Sequence, residues 1–296
     1  MVAPFSPGRA AHARPVLVHS IPREQIVPAI ASEWIPRDKS EELLREARET
    51  TLDKVAHLAH GEARAVVEIG EPHRVLLEQA EDPKVGMILL GAADRNEDRP
   101  RWLGGTADRV LRKAACPVLI VRQAVKHPPA RVVFPVDLSA LSADAFRSGL
   151  ELLAELGWSQ GAHLTALYVE SPPVAPLPVE LLTANGPLRE LERFVHRHRP
   201  AGRPEVETKG RQGEAREPIL RGLEECDAGL VVLGTHGRGG FERLLLGSVA
   251  SDLIRTSPCD VLVLPPAEAA RTRVLAWNRR PGMRRSDEEQ GAQFFG

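Results

Sequence analysis

From residue 131 onward the chain switches regularly between two hydrophobic periods. RVVFPVD (131–137), HLTALYV (163–169), LVVLG (230–234) and VLVL (261–264) are short apolar runs rich in β-branched residues, the pattern of buried strands. SADAFRSGLELLAELG, a stretch of about 179–197, REPILRGLEEC and SVASDLIRT instead return an apolar residue every three to four positions, the helical period. ETKGR reads as a short strand leading into Gly213, and a Pro-rich loop runs from Ser171 to Pro178. Strands that alternate with helices predict a parallel sheet covered on both faces, an α/β fold.

The upstream part of the chain repeats this pattern. GEPHRVLLEQAEDPKVGMILLGAAD (70–94) aligns with GEAREPILRGLEECDAGLVVLGTHG (213–237), and LGGTADRVLRKAACPVLIV (103–121) with LGSVASDLIRTSPCDVLVL (246–264). Gly70 and Gly213, Gly91 and Gly234, Gly104 and Gly247, and Cys116 and Cys259 are each 143 positions apart. A gap-free register of that length marks two copies of one unit. RPVLVHSIP (14–22) matches the strand HLTALYVES, so Ser20 answers to Val169. In the second copy Asp137 lies 32 residues before Val169, and the same count back from Ser20 passes Met1. The first copy is therefore expected to lack its first strand and most of its first helix. A start further upstream, a strand donated by another chain and a remodelled first domain are the three open accounts.

The chemistry concentrates in LVVLGTHGRGGFERLLLGSVASDLIRTSPCDVLVL (230–264). The glycines fall as Gly234-x2-Gly237-x9-Gly247, followed by Ser248. A strand ends at Gly234, a glycine-dense loop follows, and a helix begins near Gly247. Helix N-termini hold phosphates through unsatisfied N–H groups and the helix dipole, and a glycine lets the backbone approach closely. Ser248 is a candidate N-cap, or its hydroxyl bonds a phosphate instead. No G-x-x-x-x-G-K-[ST] loop is present. The spacing, together with LLLGSV and the later Ser-Pro-Cys, resembles the ATP-binding motif of the universal stress protein family, and the resemblance covers about 14–264.

That resemblance implies two tandem open parallel five-stranded α/β sandwich domains, strand order 3-2-1-4-5. The expected boundaries are an N-terminal extension (1–13), a shortened first domain (14–125), a nucleotide-binding second domain (130–265) and a disordered tail (266–296). It also implies ATP as ligand, with Mg²⁺ or Mn²⁺ bridging the phosphates rather than a protein metal site. Asp137 and Val169 are expected beside the base, and Gly234, His236, Gly237, Arg238, Gly240, Gly247, Ser248 and Val249 around ribose and phosphates. Taken alone, Asp137 is as well explained as an N-cap, Val169 as core, and His236 and Arg238 as solvated loop residues. In the first copy Asp94 replaces Gly237 and Gly105 replaces Ser248, and the counterpart of Asp137 is missing. One working site per chain, in the second domain, is the expectation.

Composition narrows the alternatives. The formal net charge of −1 gives no global pull toward nucleic acid or membrane surfaces. No apolar run is long enough to span a bilayer, and MVAPFSPGRA lacks the apolar core of a signal peptide, so a cytoplasmic protein is expected. Cys116, Cys226 and Cys259 match neither a disulfide framework nor a metal signature. Arg193, His196, Arg197, His198 and Arg199 suit a helix C-terminus. No catalytic constellation is evident. The function expected is an ATP-binding regulatory protein of stress response. A slow ATPase and a nucleotide-free dimerisation module are the alternatives. VLIV (118–121) and VLVL are apolar edge strands, which tend to be paired, within one chain or in a homodimer. A regulatory protein partner is expected but not identified.

Overall fold

The computed structural model describes residues 15–22, 37–58, 63–92, 104–122, 128–171, 186–235 and 246–266. The first repeat contributes β1 (Val16–Ile21), α1 (Arg37–Leu58), β2 (Arg64–Ile69), α2 (Pro72–Gln79), β3 (Ile88–Gly91), α3 (Gly105–Lys113) and β4 (Val118–Val121). The second contributes β5 (Arg131–Val136), α4 (Ala140–Glu155), β6 (His163–Glu170), α5 (Gly186–His198), β7 (Val206–Gln212), α6 (Arg216–Glu225), β8 (Leu230–Gly234), α7 (Ser248–Thr256) and β9 (Asp260–Leu264). The strands and helices of the second repeat follow the two hydrophobic periods of the sequence, whereas α1 and β2 are not among the elements those periods predict. The early part of the helix expected from about 179, the glycine loop 236–245, Asp94 and the tail beyond 266 lie outside the described residues.

Seven strands form one sheet in the order β3-β4-β9-β8-β5-β6-β7. Within the second repeat this reads 3-2-1-4-5 in its own count, and every pairing there is parallel. The sheet continues into the first repeat through an antiparallel pairing of the two last strands, Val118 opposite Val263 and Leu119 opposite Leu262. Both strands are apolar and would otherwise expose backbone donors and acceptors at an edge. The Arg122 N–H donates to Asp260 Oδ1 at 2.7 Å, which pins the end of β4 beside β9.

The first repeat does not form a five-stranded sheet of its own. β1 and β2 pair only with each other, in a separate two-stranded parallel sheet, while β3 and β4 belong to the large sheet. Among the described residues no strand joins β1 to β3.

Two layers of side chains make the core. On one face Phe146, Leu150 and Leu153 of α4 and Leu191, Phe194 and Val195 of α5 cover β5, β6 and β8, and Leu119 of β4 joins them. Phe134 and Phe146 meet edge to face at 5.3 Å, a favoured aromatic geometry. On the other face Val110 and Leu111 of α3, Ile219 and Leu223 of α6 and Leu253 and Ile254 of α7 form one continuous core across both repeats. β1, β2 and α1 share only a small cluster around Ile21, Val55 and Val67.

Candidate functional site

The strand order reverses between β5 and β8. From β5 the chain crosses outward to β6 and β7, and from β8 outward to β9. Open α/β sheets bind ligands at such a switch point, beyond the C-terminal ends of the strands. The pairing of β5 with β8 is short: Val132 opposite Leu230 and Val133 opposite Val231, and no further. Pro135 has no N–H to extend a ladder. Beyond Val133 no pairing closes the space between the ends of β5 and β8, which are the ends that carry Asp137 and Gly234.

Asp137 follows β5 and is half-buried. Its Oδ1 accepts from the Ser139 N–H at 3.0 Å, and its own N–H donates to Ser142 Oγ at 3.2 Å. The N-cap of α4 is Ser139, whose Oγ accepts from the Ser142 N–H at 3.1 Å. Asp137 is therefore not the cap. Its carboxylate braces the turn through the Ser139 N–H. Between them Leu138 has φ 63°, a left-handed conformation that costs an L-residue about 1–2 kcal/mol. Strain of this kind at a strand end is held only by its surroundings and is common at ligand sites.

Gly234 ends β8 opposite Leu264. The Gly247 N–H donates to the Thr235 carbonyl at 2.9 Å, which ties the start of α7 to the end of β8. Gly247 is the N-cap of α7, and no side-chain bond caps the helix. This corrects the expectation that Ser248 is the cap. Ser248 is the first helical residue and its side chain is exposed, as is Val249. The N–H groups of the first helical turn have no carbonyl within the helix to bond. These donors and the Ser248 hydroxyl lie at the same end of the sheet as Asp137. Val169, next to last in β6, lies opposite Arg211 and is partly packed into the core that α6 and α7 cover. His236, Gly237, Arg238 and Gly240 lie outside the described residues. The residue the sequence did not single out is Ser139; its Asp-Leu-Ser context before an apolar helix carried the capping signal.

The first repeat reproduces half of this arrangement. Gly104 caps α3 with φ −58° and ψ 149°, close to the −55° and 146° of Gly247. Gly105 stands where Ser248 stands, and no described strand occupies the β5 position. The switch point is therefore incomplete there. Among the described residues no cluster of His, Cys, Asp or Glu is arranged to hold a metal ion, and no helix is long and apolar enough to cross a membrane. Arg193, His196 and Arg197 lie on the exposed face of α5. Cys116 and Cys259 are buried, as expected of small core thiols, and burial raises the Cys259 pKa.

An open α/β sheet with a glycine-capped helix at its switch point is present here as an intact copy and a split one. The model of the universal stress protein family matches residues 7–122 and 129–265, and the chain belongs to that family as a tandem-domain member. A universal stress protein of Methanocaldococcus jannaschii is 31% identical over 143 residues, which span 45% of this chain and 81% of that one. A universal stress protein of Mycolicibacterium smegmatis is 32% identical over 193 residues, 61% of this chain and 62% of that one. The chain thus spans less than two thirds of the second relative. A putative universal stress protein from Pseudomonas aeruginosa superposes with a TM-score of 0.59 at 18% identity, covering 90% of this chain and 99% of that one. That likeness concerns the fold.

Proposed function

We propose that the second repeat binds one adenine nucleotide, ATP with Mg²⁺ or Mn²⁺, and that the protein serves stress response as a cytoplasmic regulator. The observation that carries this reading is the switch point, where Asp137, Gly234 and the N-terminus of α7 converge. Asp137 would accept from the base or a ribose hydroxyl, with Val169 packed nearby. Gly247, Ser248 and Val249 would present N–H groups to the phosphates, with Gly237, Arg238, His236 and Gly240 completing the cradle from the loop. The metal ion would screen phosphate charge that fixed protein cations do not meet. Nucleotide would act by binding one conformational or assembly state more tightly than another. A homodimer of tandem chains belongs to the same proposal. The β4 and β9 edges are already joined within the chain, so the dimer would use another surface.

The test is chromatography of nucleotides released by denaturing the purified protein, in wild type and Gly247→Asp. About one ATP per chain, lost in the variant, is the expected result. Absence of nucleotide, together with no thermal shift on adding Mg-ATP, would overturn it and favour the nucleotide-free interaction module.

A further inference from the structure

The three cysteines of the chain sit in different surroundings. Cys116 and Cys259 are buried in the core shared by the two repeats. Cys226 is half-buried at the end of α6, where its N–H donates to the Gly222 carbonyl. Its sulfur stands 3.6 Å from Nζ of Lys209, on the last strand of the large sheet, β7. A thiol and an amine are thus in contact between a helix end and a strand. The repeat shows that the unit does not need them in order to fold. At the matching positions, 143 residues earlier, the first repeat carries Pro83 and Val66.

The neighbours hold the amine against the sulfur. Glu207 Oε2 lies 3.3 Å from Lys209 Nζ and 3.3 Å from His163 Nε2, so the lysine is placed between a carboxylate and the thiol. Arg211 pairs instead with Glu225. Two effects act on the sulfur in opposite directions. The end of a helix carries roughly half a negative charge, which disfavours a thiolate. The Lys209 ammonium carries a full positive charge in contact with the sulfur, and favours it. Burial pulls the Lys209 pKa down, but Cys226 and then Glu207 outweigh it, and the amine stays above the ordinary lysine value.

We propose that Cys226 and Lys209 are joined under oxidation by a sulfenamide bond between Sγ and Nζ, which fastens the end of α6 to β7. The oxidant is a peroxide. The thiolate attacks one peroxide oxygen and the O–O bond breaks. The sulfur gives up two electrons and becomes a sulfenic acid, and the second oxygen takes up a proton and leaves as water. The sulfenic acid is uncharged, so the first of the two upward pulls on Lys209 is gone and burial favours the neutral amine. Nζ then attacks the sulfur. An S–N bond forms, the S–O bond breaks, and the hydroxyl leaves as water with a proton from the lysine. One peroxide is consumed and two waters are released. An external thiol reverses the link by attack on the sulfur. This inference is independent of nucleotide binding.

The test treats the full-length protein with hydrogen peroxide, digests it and reads linked peptides by mass spectrometry. The expected product is a peptide pair joined through Lys209 and Cys226, lighter by two hydrogens than the separate peptides and restored by dithiothreitol. Lys209→Arg keeps a cation beside the sulfur but has no amine to form the bond. The Lys209 side chain is 38% exposed, so this variant should fold. It is expected to leave Cys226 as a sulfenic acid, trapped by dimedone at more than about twice the wild-type yield, because no amine consumes it. Oxidation should also slow amide exchange in 206–212 in the wild type and not in the variant. Absence of the linked pair, or equal dimedone labelling in the two proteins, would overturn the proposal. So would a disulfide between two chains through Cys226 as the main product.

Discussion

Ser139 and Ser248 both stand at the start of a helix, and of the two Ser139 is the cap. The Ser139 hydroxyl caps α4 through the Ser142 N–H, and losing such a cap costs about 1 kcal/mol. The Ser248 side chain makes no capping bond. Ser139→Ala should lower Tm by about 2–4 °C, whereas Ser248→Ala should leave Tm of the nucleotide-free protein unchanged and weaken nucleotide binding. Thermal melts beside ligand titrations separate the two effects. His73 sets a pH dependence. It is buried at the start of α2, its Nδ1 has no hydrogen-bond partner, and burial, followed by Arg109, holds its pKa below the ordinary imidazole value. Burial lowers the His198 pKa as well, with Arg147 adding to it. The unfolded chain then takes up protons first as pH falls through about 6.5, so stability is full above that value and declines below it. Urea melts across this range should show that decline, and His73→Gln should flatten it.

At the level of elements, α4 packs tightly on the sheet. A Cβ on Gly149 would meet Phe134 Cε1 and Val232 Cγ1 at 2.9 Å. Alanine in a helix gains up to about 1 kcal/mol over glycine, while overpacking a tight core costs about 1–3 kcal/mol. The second effect is expected to win because both neighbours are buried and enclosed. Gly149→Ala should therefore lower the denaturation midpoint. A midpoint above wild type would show that α4 can lift off the sheet without penalty. Gly222 faces the same constraint against Leu167, so helices on both faces approach the sheet through a glycine.

For the whole molecule, the antiparallel junction of β4 and β9 makes one core from two repeats. Val110 and Ile120 from the first repeat and Leu253 and Val261 from the second are fully buried in a single cluster. A core shared this way couples the unfolding of both parts. Calorimetry should show one main transition for β3, β4, α3 and the second repeat, with β1, β2 and α1 losing amide protection at lower free energy. Two well-separated main transitions would contradict the shared core.

Although it did not show α1 or β2, the sequence by itself determined the strands and helices of the second repeat, the repeat itself, the family and the positions of Asp137, Gly234 and Gly247. These follow from local hydrophobic periods and fixed glycine spacing, which are properties of neighbouring residues. Other features depend on contacts between segments far apart in the chain, which no local pattern encodes. Only the tertiary structure decided that Gly247, not Ser248, caps α7, because the Gly247 N–H is drawn to the Thr235 carbonyl. Only it decided that Ser139 caps α4 while Asp137 braces the turn. Sequence left the pairing of the two last strands open between one chain and two. The structure joins them within the chain, where antiparallel contact satisfies two backbone edges and buries Leu119 against Leu262.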